Sequence, residues 1–304
     1  MPPPGLHAQN AGGLMRSLLF VPGDSEKKLE KGLASQADAL IIDLEDSVAL
    51  AAKPQARVIT LAFLKAHRGK PGSPKLFVRL NGLTTGLIGA DLDAIMAGAP
   101  DALVLPKAEG GVDIQHLAAK VAVCEAEQAL PDGGTTIMAI ATETARGVFQ
   151  LGTYAGASHR LMALTWGAED LAAELGAETN RLADGSHADP YRLARSLTLM
   201  GASSANVEAI DTVFTNFRDD DGLRAECMAA RRDGFTGKMA IHPGQVAIIN
   251  EVFTPSDAAL ARARKIVALF AANPEAGVLG LDGQMLDRPH LRQAERLLKR
   301  VGAN

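Results

Sequence analysis

The hydrophobic pattern alternates between two kinds of segment along most of the chain. Short runs rich in Val, Ile and Leu, bounded by turn residues, predict strands. Longer Ala-rich segments with apolar residues at i, i+3 and i+4 predict helices. The eight predicted strands begin at Ser17, Ala39, Lys75, Ala102, Thr136, Arg160, Asn206 and Gly237. A unit of strand, loop and helix is therefore expected to repeat eight times.

The eight runs are almost continuously apolar, which is typical of parallel strands buried on both faces. Eight such strands separated by helices predict an α/β fold of the (β/α)8, or TIM-barrel, type. An open doubly wound sheet is the alternative. The first strand–helix turn, VPGDSEKK from Val21, lacks the G-x-G-x-x-G pattern of dinucleotide sites. Polar residues also end nearly every strand instead of clustering at one switch point, which favours the barrel.

The pattern divides the chain into a leader, a barrel and an extension. Residues 1–15 lack the charged start and apolar run of a signal peptide, and we expect a disordered leader there. The barrel is predicted over residues 16–252, and a C-terminal helical extension over residues 253–304. The extension should begin with a helix capped by Thr254 or Ser256. A Gly-rich bend, VLGLDGQMLDRP, follows, and a final helix is expected from His290.

Composition limits the partners and the location. The 304 residues carry a formal net charge of -4, which argues against a nucleic-acid partner because such domains are usually basic over a whole face. No 18 uncharged apolar residues run together, so we expect no membrane-spanning helix. Cys124 and Cys227 are the two cysteines, too few for a disulfide framework or a structural zinc site. A reducing cytoplasm fits this cysteine content.

The residues that follow the predicted strands are the candidate active site, because barrel enzymes place catalytic groups on these loops. Most of these candidates are acidic: Asp24, Asp43, Glu45, Asp46, Arg79, Asn81, Lys107, Glu109, Glu143, Glu169, Asp170, Asp211 and His242. Several carboxylates at one barrel mouth repel each other unless a cation neutralises them. Oxygen ligands with room for water suit Mg²⁺.

Glu143 and Asp170 are the first candidates for holding such an ion. Glu143 closes one predicted strand and Asp170 follows the next, so the two are adjacent on the barrel rim. Glu143 has an alternative role as the N-cap or first-turn acid of a helix from Thr144 to Tyr154. A similar alternative applies to Asp170.

Arg79 is predicted at the mouth end of a buried strand, where an unpaired guanidinium is costly. Its partner is either a structural Asp or Glu, or a substrate carboxylate held by a bidentate pair of hydrogen bonds. The neighbouring acids are equally ambiguous. Asp46 is either a helix cap or part of the site, and Glu45 is a candidate for contacting metal-bound water.

Lys27 and Lys31 lie four residues apart at the start of the first predicted helix and therefore share one face. Lysines in this arrangement can meet phosphate groups as point charges. The alternative is a solvated charge pattern with Glu26 and Glu30, which the residues alone favour.

Seven motifs occur in an order that resembles one known family: MRSLLFVPG, DLEDSV, FVRLNG, LVLPKAE, ATETARGV, WGAEDL and GFTGKMAIHPGQ. They resemble the HpcH/HpaI aldolase and citrate lyase β-subunit family. More closely, the chain looks like the coenzyme A ester lyases of that family, over residues 16 to about 300. The resemblance implies a TIM barrel and an enzyme acting on coenzyme A thioesters.

The resemblance also implies roles for individual residues. Glu143 and Asp170 become ligands of Mg²⁺, with Mn²⁺ as a substitute, and Arg79 holds the oxo-acid end of the substrate. Glu45 and Asp46 then lie behind the metal site. The residues implied to contact the acyl-CoA or other substrate atoms are Phe20, Lys27, Lys31, Arg79, Glu143, Ile241 and His242.

Asp287, in the MLDRP segment, is implied to be a catalytic acid that reaches the site of a neighbouring subunit. A homo-oligomer, either a trimer or a hexamer, follows from that role. From the residues alone, Asp287 before Pro289 is typical of a helix start.

The implied reaction is the cleavage or formation of a 3-hydroxyacyl-CoA such as malyl-, methylmalyl- or citramalyl-CoA. Its products are an acyl-CoA and a 2-oxo acid, glyoxylate or pyruvate. Two alternatives stay open: a malyl-CoA thioesterase, and a citrate lyase β-subunit acting on a citryl thioester.

Overall fold

A computed structural model of the chain describes residues 14–303. The predicted leader lies outside the described residues except for Leu14 and Met15, which belong to neither a helix nor a strand. The chain divides into two compact units. The first is Arg16–Phe253, and the second is formed mainly by residues 254–303.

The first unit is a closed parallel barrel, as the hydrophobic pattern predicts. In its described residues each strand pairs with the next, and the last pairs with the first. The strands are β1 (Ser17–Pro22), β2 (Ala39–Asp43), β3 (Lys75–Arg79), β4 (Ala102–Leu105), β5 (Thr136–Ile140), β6 (Leu161–Thr165), β7 (Glu208–Asp211) and β8 (Gly237–Ala240). Six begin at the predicted residue, whereas β6 and β7 begin one and two residues later. The fold prediction is confirmed.

Helices connect the strands and follow the last one. Those described within residues 16–253 are α1 (Glu26–Leu33), α2 (Lys53–His67), α3 (Ile88–Ile95), α4 (Gly111–Glu127), α5 (Ala145–Phe149), α6 (Ala168–Leu175), α7 (Asp189–Ala205), α8 (Asp220–Asp233) and α9 (Val246–Phe253). Short 3-10 turns occur at Leu50–Ala52, Leu83–Thr85, Met96–Gly98, Leu151–Tyr154 and Pro243–Gln245. The predicted helix from Thr144 to Tyr154 is therefore α5 followed by a separate 3-10 turn.

Alternation along the strands separates the helix-facing core from the barrel interior. Leu40 and Ile42 of β2 belong to the large apolar core that also includes helix residues such as Leu117. Since successive side chains of a strand point to opposite faces, Ile41 and Asp43 point into the barrel. Asp43 is the last residue of β2, so its carboxylate lies at the mouth of the barrel, where the strands end.

A set of charges, buried or half-buried apart from the exposed Asp233, lies on the outer, helix-facing side of β7 and β8. We define this wall cluster as Arg181, Arg195, Asp211, Glu226, Asp233 and Lys238. Nζ of the fully buried Lys238 lies 2.8 Å from carboxylate oxygens of both Asp211 and Glu226. Arg195 lies 3.4 Å from Asp211, which also accepts a 2.8 Å hydrogen bond from the indole N–H of Trp166. Three cations thus meet three acids.

The second unit contains α10 (Asp257–Ala271), β9 (Val278–Leu281), β10 (Gln284–Asp287) and α11 (Arg288–Arg300). Ser256 caps α10 by accepting a hydrogen bond from the N–H of Ala259. The segment predicted as a bend is an antiparallel hairpin of β9 and β10. Its turn residues, Asp282 and Gly283, both have positive φ, which suits the Asp-Gly turn of a tight hairpin. The final helix begins at Arg288 rather than at His290.

In the described part of the chain, no helix is both long enough and apolar enough to cross a membrane.

Candidate active site

The carboxyl ends of β2 and β3 bring the first site residues together. Asp43 and Arg79 are the last residues of these strands and are paired in register. Both therefore point into the barrel at its mouth. Nε and Nη2 of Arg79 each donate a 2.7 Å hydrogen bond to Asp43. The Arg79 guanidinium also lies 4.8 Å from the ring centroid of Phe20, in β1, which is a cation–π distance.

Asp43 is the structural partner that sequence reasoning left open for Arg79. Burial acts to raise the pKa of Asp43, but the hydrogen bonds and charge of Arg79 outweigh burial, so this pKa is lowered. The pKa of Arg79 is raised in turn, because Asp43 and Glu45 outweigh the effect of its burial. Nη1 of Arg79 lies 2.9 Å from Glu45. Two of the five guanidinium N–H groups are committed to Asp43, which leaves the Nη1 edge to face the mouth acids.

Glu143 follows β5 and is buried, with 4% of its surface exposed. Its alternative role as a helix cap is excluded, because Thr144 is the N-cap of α5 and accepts a 3.0 Å hydrogen bond from the N–H of Gly147. Gly167 lies directly behind the Glu143 side chain: a Cβ on Gly167 would lie 2.7 Å from Cγ of Glu143. Only glycine leaves room for this close approach.

Asp170 lies in the first turn of α6, half-buried beside Glu143. Burial, followed by the nearby charge of Asp170, raises the pKa of Glu143 to about 8. The two carboxylates share one nearby ammonium, that of Lys107 at 3.4 Å from Asp170, so acid is in excess here, which is the electrostatic signature of a site for an added cation.

Glu45 and Asp46 lie on the loop after β2. The carboxylate of Asp43 accepts hydrogen bonds from the N–H groups of Glu45 and Ser47, at 2.9 and 3.1 Å, so Asp43 rather than Asp46 organises this turn. The buried ammonium of Lys53 donates to the main-chain carbonyls of Leu44 and Glu45. Burial raises the pKa of Glu45 although Arg79 and Lys107 partly offset it.

Lys107, at the end of β4, is the residue whose role sequence reasoning missed. Its main-chain N–H donates to Glu143, and its Nζ lies against Glu45, 3.2 Å from Asp46 and 3.4 Å from Asp170. The available signal was a lysine at a strand end among acids. We define the mouth cluster as Asp43, Glu45, Asp46, Arg79, Lys107, Glu143 and Asp170.

The oxygen-rich chemistry of the mouth cluster suits magnesium. Within the described residues, no group of three or more His, Cys, Asp or Glu side chains is arranged to hold a metal. Mg²⁺ does not require such a group, since it is commonly held by one or two carboxylates and completes its shell with water and substrate. Glu143 and Asp170 are two carboxylates that could hold the ion in this way.

Of the five predicted phosphate or acyl-CoA contacts, Phe20 is half-buried in β1, and the other four are exposed on adjacent units of the barrel. Lys27 and Lys31 lie on α1, and Ile241 and His242 follow β8, which pairs with β1. The His242 ring stacks on Phe217 with centroids 5.1 Å apart. Nδ1 of His242 accepts a 3.1 Å hydrogen bond from the N–H of Gly244. Sequence reasoning did not single out Phe217.

Asp287 lies in the second unit, as the last residue of β10 and the N-cap of α11. Its Oδ1 is 2.6 Å from Nδ1 of His290. This is the helix-start position that the residues alone predicted, and the catalytic role of Asp287 stays a prediction.

A closed (β/α)8 barrel with an arginine and an excess of acids at its strand ends defines a barrel enzyme. Residues 16–243 match the family model described as HpcH/HpaI aldolase/citrate lyase. The chain belongs to this family, and the resemblance drawn from the seven motifs is confirmed.

Curated relatives match nearly the whole chain. Citrate lyase subunit beta of Leuconostoc mesenteroides is 34% identical and covers 96% of this chain and 94% of its own length. The (3S)-malyl-CoA thioesterase of Cereibacter sphaeroides is 36% identical, with 95% of each chain covered. The L-malyl-CoA/beta-methylmalyl-CoA lyase of Rhodobacter capsulatus is 34% identical, again with 95% of each covered.

A solved structure supports the same fold. CitE from Mycobacterium tuberculosis, in complex with magnesium, acetoacetate and coenzyme A, is 35% identical and superposes with a TM-score of 0.72. The match covers 96% of this chain and 99% of that structure. These comparisons place the chain in the coenzyme A ester lyase branch, the class of enzyme that the motifs implied.

Proposed function

We propose that this protein is a magnesium-dependent carbon–carbon lyase that cleaves or forms a 3-hydroxyacyl-CoA. Malyl-, methylmalyl- and citramalyl-CoA are the expected substrates, and the products are acetyl-CoA or a homologue plus glyoxylate or pyruvate. The observation that carries the proposal is the buried Glu143 beside Asp170, in a mouth cluster where the acids outnumber Arg79 and Lys107. The relative named malyl-CoA lyase supports the reaction class.

Glu143 and Asp170 would hold Mg²⁺, or Mn²⁺ in its place. The bound ion supplies Lewis-acid polarisation of the oxygen atoms of the oxo acid. Glu45 and Asp46 would accept hydrogen bonds from water at the ion. The complex of CitE with magnesium, acetoacetate and coenzyme A supports a site that takes both magnesium and a small oxo acid.

Arg79 would orient the carboxylate of the oxo acid. Its bidentate pair with Asp43 holds the guanidinium still, and Phe20 covers one of its faces. The N–H groups used by neither Asp43 nor Glu45 are then available to a substrate anion at the mouth. A fixed arginine orients the reacting carbon at little entropic cost in the bound state.

Lys27, Lys31, Ile241 and His242 would contact the coenzyme A part of the substrate. The two lysines supply positive charge for phosphate groups, and the exposed apolar and aromatic side chains supply packing surface. The CitE complex that contains coenzyme A supports a ligand of this class.

Asp287 would transfer the proton at the α-carbon of the thioester as that carbon becomes, or ceases to be, an enolate. We propose that a neighbouring subunit donates this residue, so that the active form is a homotrimer or a homohexamer. The extension of residues 253–304 is the part of the chain assigned to this exchange. A cytoplasmic location is proposed with it, since both cysteines are free thiols.

Hydrolysis is the main competing reaction, because a relative of similar identity is named a malyl-CoA thioesterase. In that case the same site would activate water against the thioester carbonyl instead of breaking a carbon–carbon bond. A citrate lyase β-subunit acting on a citryl thioester is the third candidate, supported by the relative of that name.

Product analysis separates the three candidates. Purified protein is assayed against malyl-, methylmalyl-, citramalyl- and citryl-CoA, with excess Mg²⁺ and with a chelator. A lyase releases glyoxylate or pyruvate with an acyl-CoA, whereas a thioesterase releases malate and free coenzyme A. Turnover of citryl-CoA alone would favour the citrate lyase role. Turnover that persists unchanged in the chelator would overturn the metal-dependent mechanism.

A further inference from the structure

Lys107 combines two contacts that point in different directions. Its φ of 52° is in the left-handed region, which residues with a Cβ rarely adopt. This conformation lets the main-chain N–H meet the Glu143 carboxylate while the side chain runs toward the loop after β2. Backbone strain at a residue of an active site commonly accompanies a functional constraint.

The ammonium of Lys107 contacts three carboxylates. Its closest partner is Glu45, and Asp46 and Asp170 follow at 3.2 and 3.4 Å. Burial acts to lower the pKa of Lys107, but Glu45, Glu143 and Asp170 outweigh burial, so this pKa is raised and the group stays charged. The positive charge of Lys107 therefore reduces the repulsion among these carboxylates.

One of these three acids, Asp170, is also an assigned ligand of the divalent ion. The Lys107 contact to Asp170, at 3.4 Å, is the longest of the three, whereas the contact to the buried Glu45 is the shortest. A divalent ion held by Glu143 and Asp170 would also repel the ammonium. Lys107 and the ion therefore compete for the same negative charge.

We propose that Lys107 is a positioning residue that acts as an exchangeable counter-ion of the metal site. In the metal-free protein it holds Glu45, Asp46 and Asp170 together. When a divalent ion binds, it releases Asp170 and keeps Glu45. It thereby stabilises the empty site and weakens the affinity for the ion. This inference rests on the metal site of the proposed function.

Calorimetric titration of the full-length, metal-free protein with Mg²⁺ tests the counter-ion role. Lys107→Met removes the charge and keeps the main-chain N–H to Glu143. We expect the Kd for Mg²⁺ to fall on the order of tenfold, because a competing charge within a few ångström is gone. Lys107→Arg keeps the charge and should stay within about threefold of the unmodified protein. Lys75→Met, an exposed lysine at the first residue of β3, is the matched control and should bind Mg²⁺ unchanged.

Thermal unfolding supplies a second readout that a purely structural residue would not produce. In the absence of metal, Lys107→Met should unfold at a lower temperature than the unmodified protein. Saturating Mg²⁺ should raise the unfolding temperature of Lys107→Met more than that of the unmodified protein. A merely structural lysine would lower both the stability and the affinity for the ion. If Lys107→Met does not fold, Lys107→Gln, which keeps a donor for Glu45, is expected to shift the affinity in the same direction.

The outcomes separate this inference from the function on which it rests. If the unmodified protein binds Mg²⁺ and Lys107→Met binds it equally or more weakly, the counter-ion role is wrong and the metal site stands. If the unmodified protein shows no saturable Mg²⁺ binding, the proposed metal site fails and the role of Lys107 fails with it.

Discussion

The mouth cluster and the wall cluster lie in the same barrel and treat buried charge in opposite ways. In the wall cluster, Lys238 is fully buried and meets two acids at 2.8 Å. Burial acts to raise the pKa of Asp211, but Lys238 and Arg195 outweigh burial, so this pKa is lowered. In the mouth cluster, five acids face two cations, and the pKa of Glu143 is raised to about 8.

The difference teaches how a structural charge network can be told from a site. Paired charges with low-lying acid pKa values stabilise the fold only as long as each partner is present. An excess of buried acid, by contrast, destabilises the metal-free protein and is relieved when a cation arrives. Burial alone does not mark a site; the imbalance of charge does.

The largest expected effect is on the wall cluster. Lys238→Met leaves Asp211 and Glu226 without their buried cation, and the free energy of unfolding should fall by about 3–5 kcal/mol. Urea denaturation measures this loss. The exposed Lys75→Met should change the free energy of unfolding by less than about 0.5 kcal/mol. A loss below about 1 kcal/mol for Lys238→Met would show that the wall cluster is not a structural network.

Arg79→Lys should mainly affect turnover. Lysine cannot form the bidentate pair with Asp43 and present further N–H groups at the mouth, so kcat/KM should fall about 100-fold, or about 3 kcal/mol. Arg195→Lys, in the wall cluster, is the matched control and should lower stability while kcat/KM stays near its original value. Equal kinetic losses in the two variants would remove the functional distinction between the clusters.

Glu143→Gln should remove the part of the pH dependence of the metal-free protein that Glu143 causes. A carboxyl whose folded-state pKa is raised contributes stability below its ordinary value of 4.5 and loses it as the pH rises through about 8. Relative to the unmodified protein, the Gln variant should therefore gain about 2–3 kcal/mol of unfolding free energy between pH 5 and pH 8. Urea denaturation at the two pH values measures this gain.

The same experiment with excess Mg²⁺ provides the control for Glu143. The ion should remove most of the decline in the unmodified protein and leave the Gln variant unchanged. A constant difference between the two proteins across this pH range would mean that Glu143 is ionised and compensated without a metal.

His187 is expected to give the smallest effect. Its ring meets Trp166 edge-on at 5.0 Å, and neither ring nitrogen has a hydrogen-bond partner within the described residues. Burial, followed by the charge of Arg181, lowers the pKa of His187, so its stabilising contribution is present near neutrality and lost as the pH falls below about 6.5.

His187→Phe keeps the ring contact and removes the titrating group. We expect it to reduce the acid-side decline in unfolding free energy by about 1 kcal/mol between pH 7 and pH 5, since one group contributes less than about 1.4 kcal/mol per pH unit. Thermal unfolding at the two pH values measures this. If the unfolding free energy declined equally in both proteins between pH 7 and pH 5, titratable groups other than His187 would cause the decline.

The hydrophobic pattern was sufficient to predict the barrel and the candidate site residues at its mouth. Buried parallel strands are continuous apolar runs, so their starts could be located closely, and the polar residues after them follow as candidates. The strand ends are marked less sharply in the sequence, because residues such as Leu44 and Leu80 stay apolar and buried after the strand has ended.

Pairings between distant residues could not be predicted in the same way. The contact of Asp43 with Arg79 depends on the register of β2 against β3, and the contacts of Lys107 depend on an unusual φ. Lys238 lies within a run of residues that predicts a strand, and nothing in the sequence indicated that its ammonium contacts Asp211 and Glu226 on the helix-facing side. The Asp-Gly pair at Asp282 and Gly283 is a typical sequence for a tight hairpin turn. The other glycines nearby led to the prediction of a bend instead.

The bare Cα of Gly167 has a consequence for anyone who wishes to retarget the enzyme. Any larger residue there would push Glu143 out of place, so under the proposed function a library that varies this position would lose the ion before it changed the substrate range. Ile241, the exposed residue that follows β8, has no such steric constraint. The proposed coenzyme A contact and the proposed metal site could therefore be engineered separately.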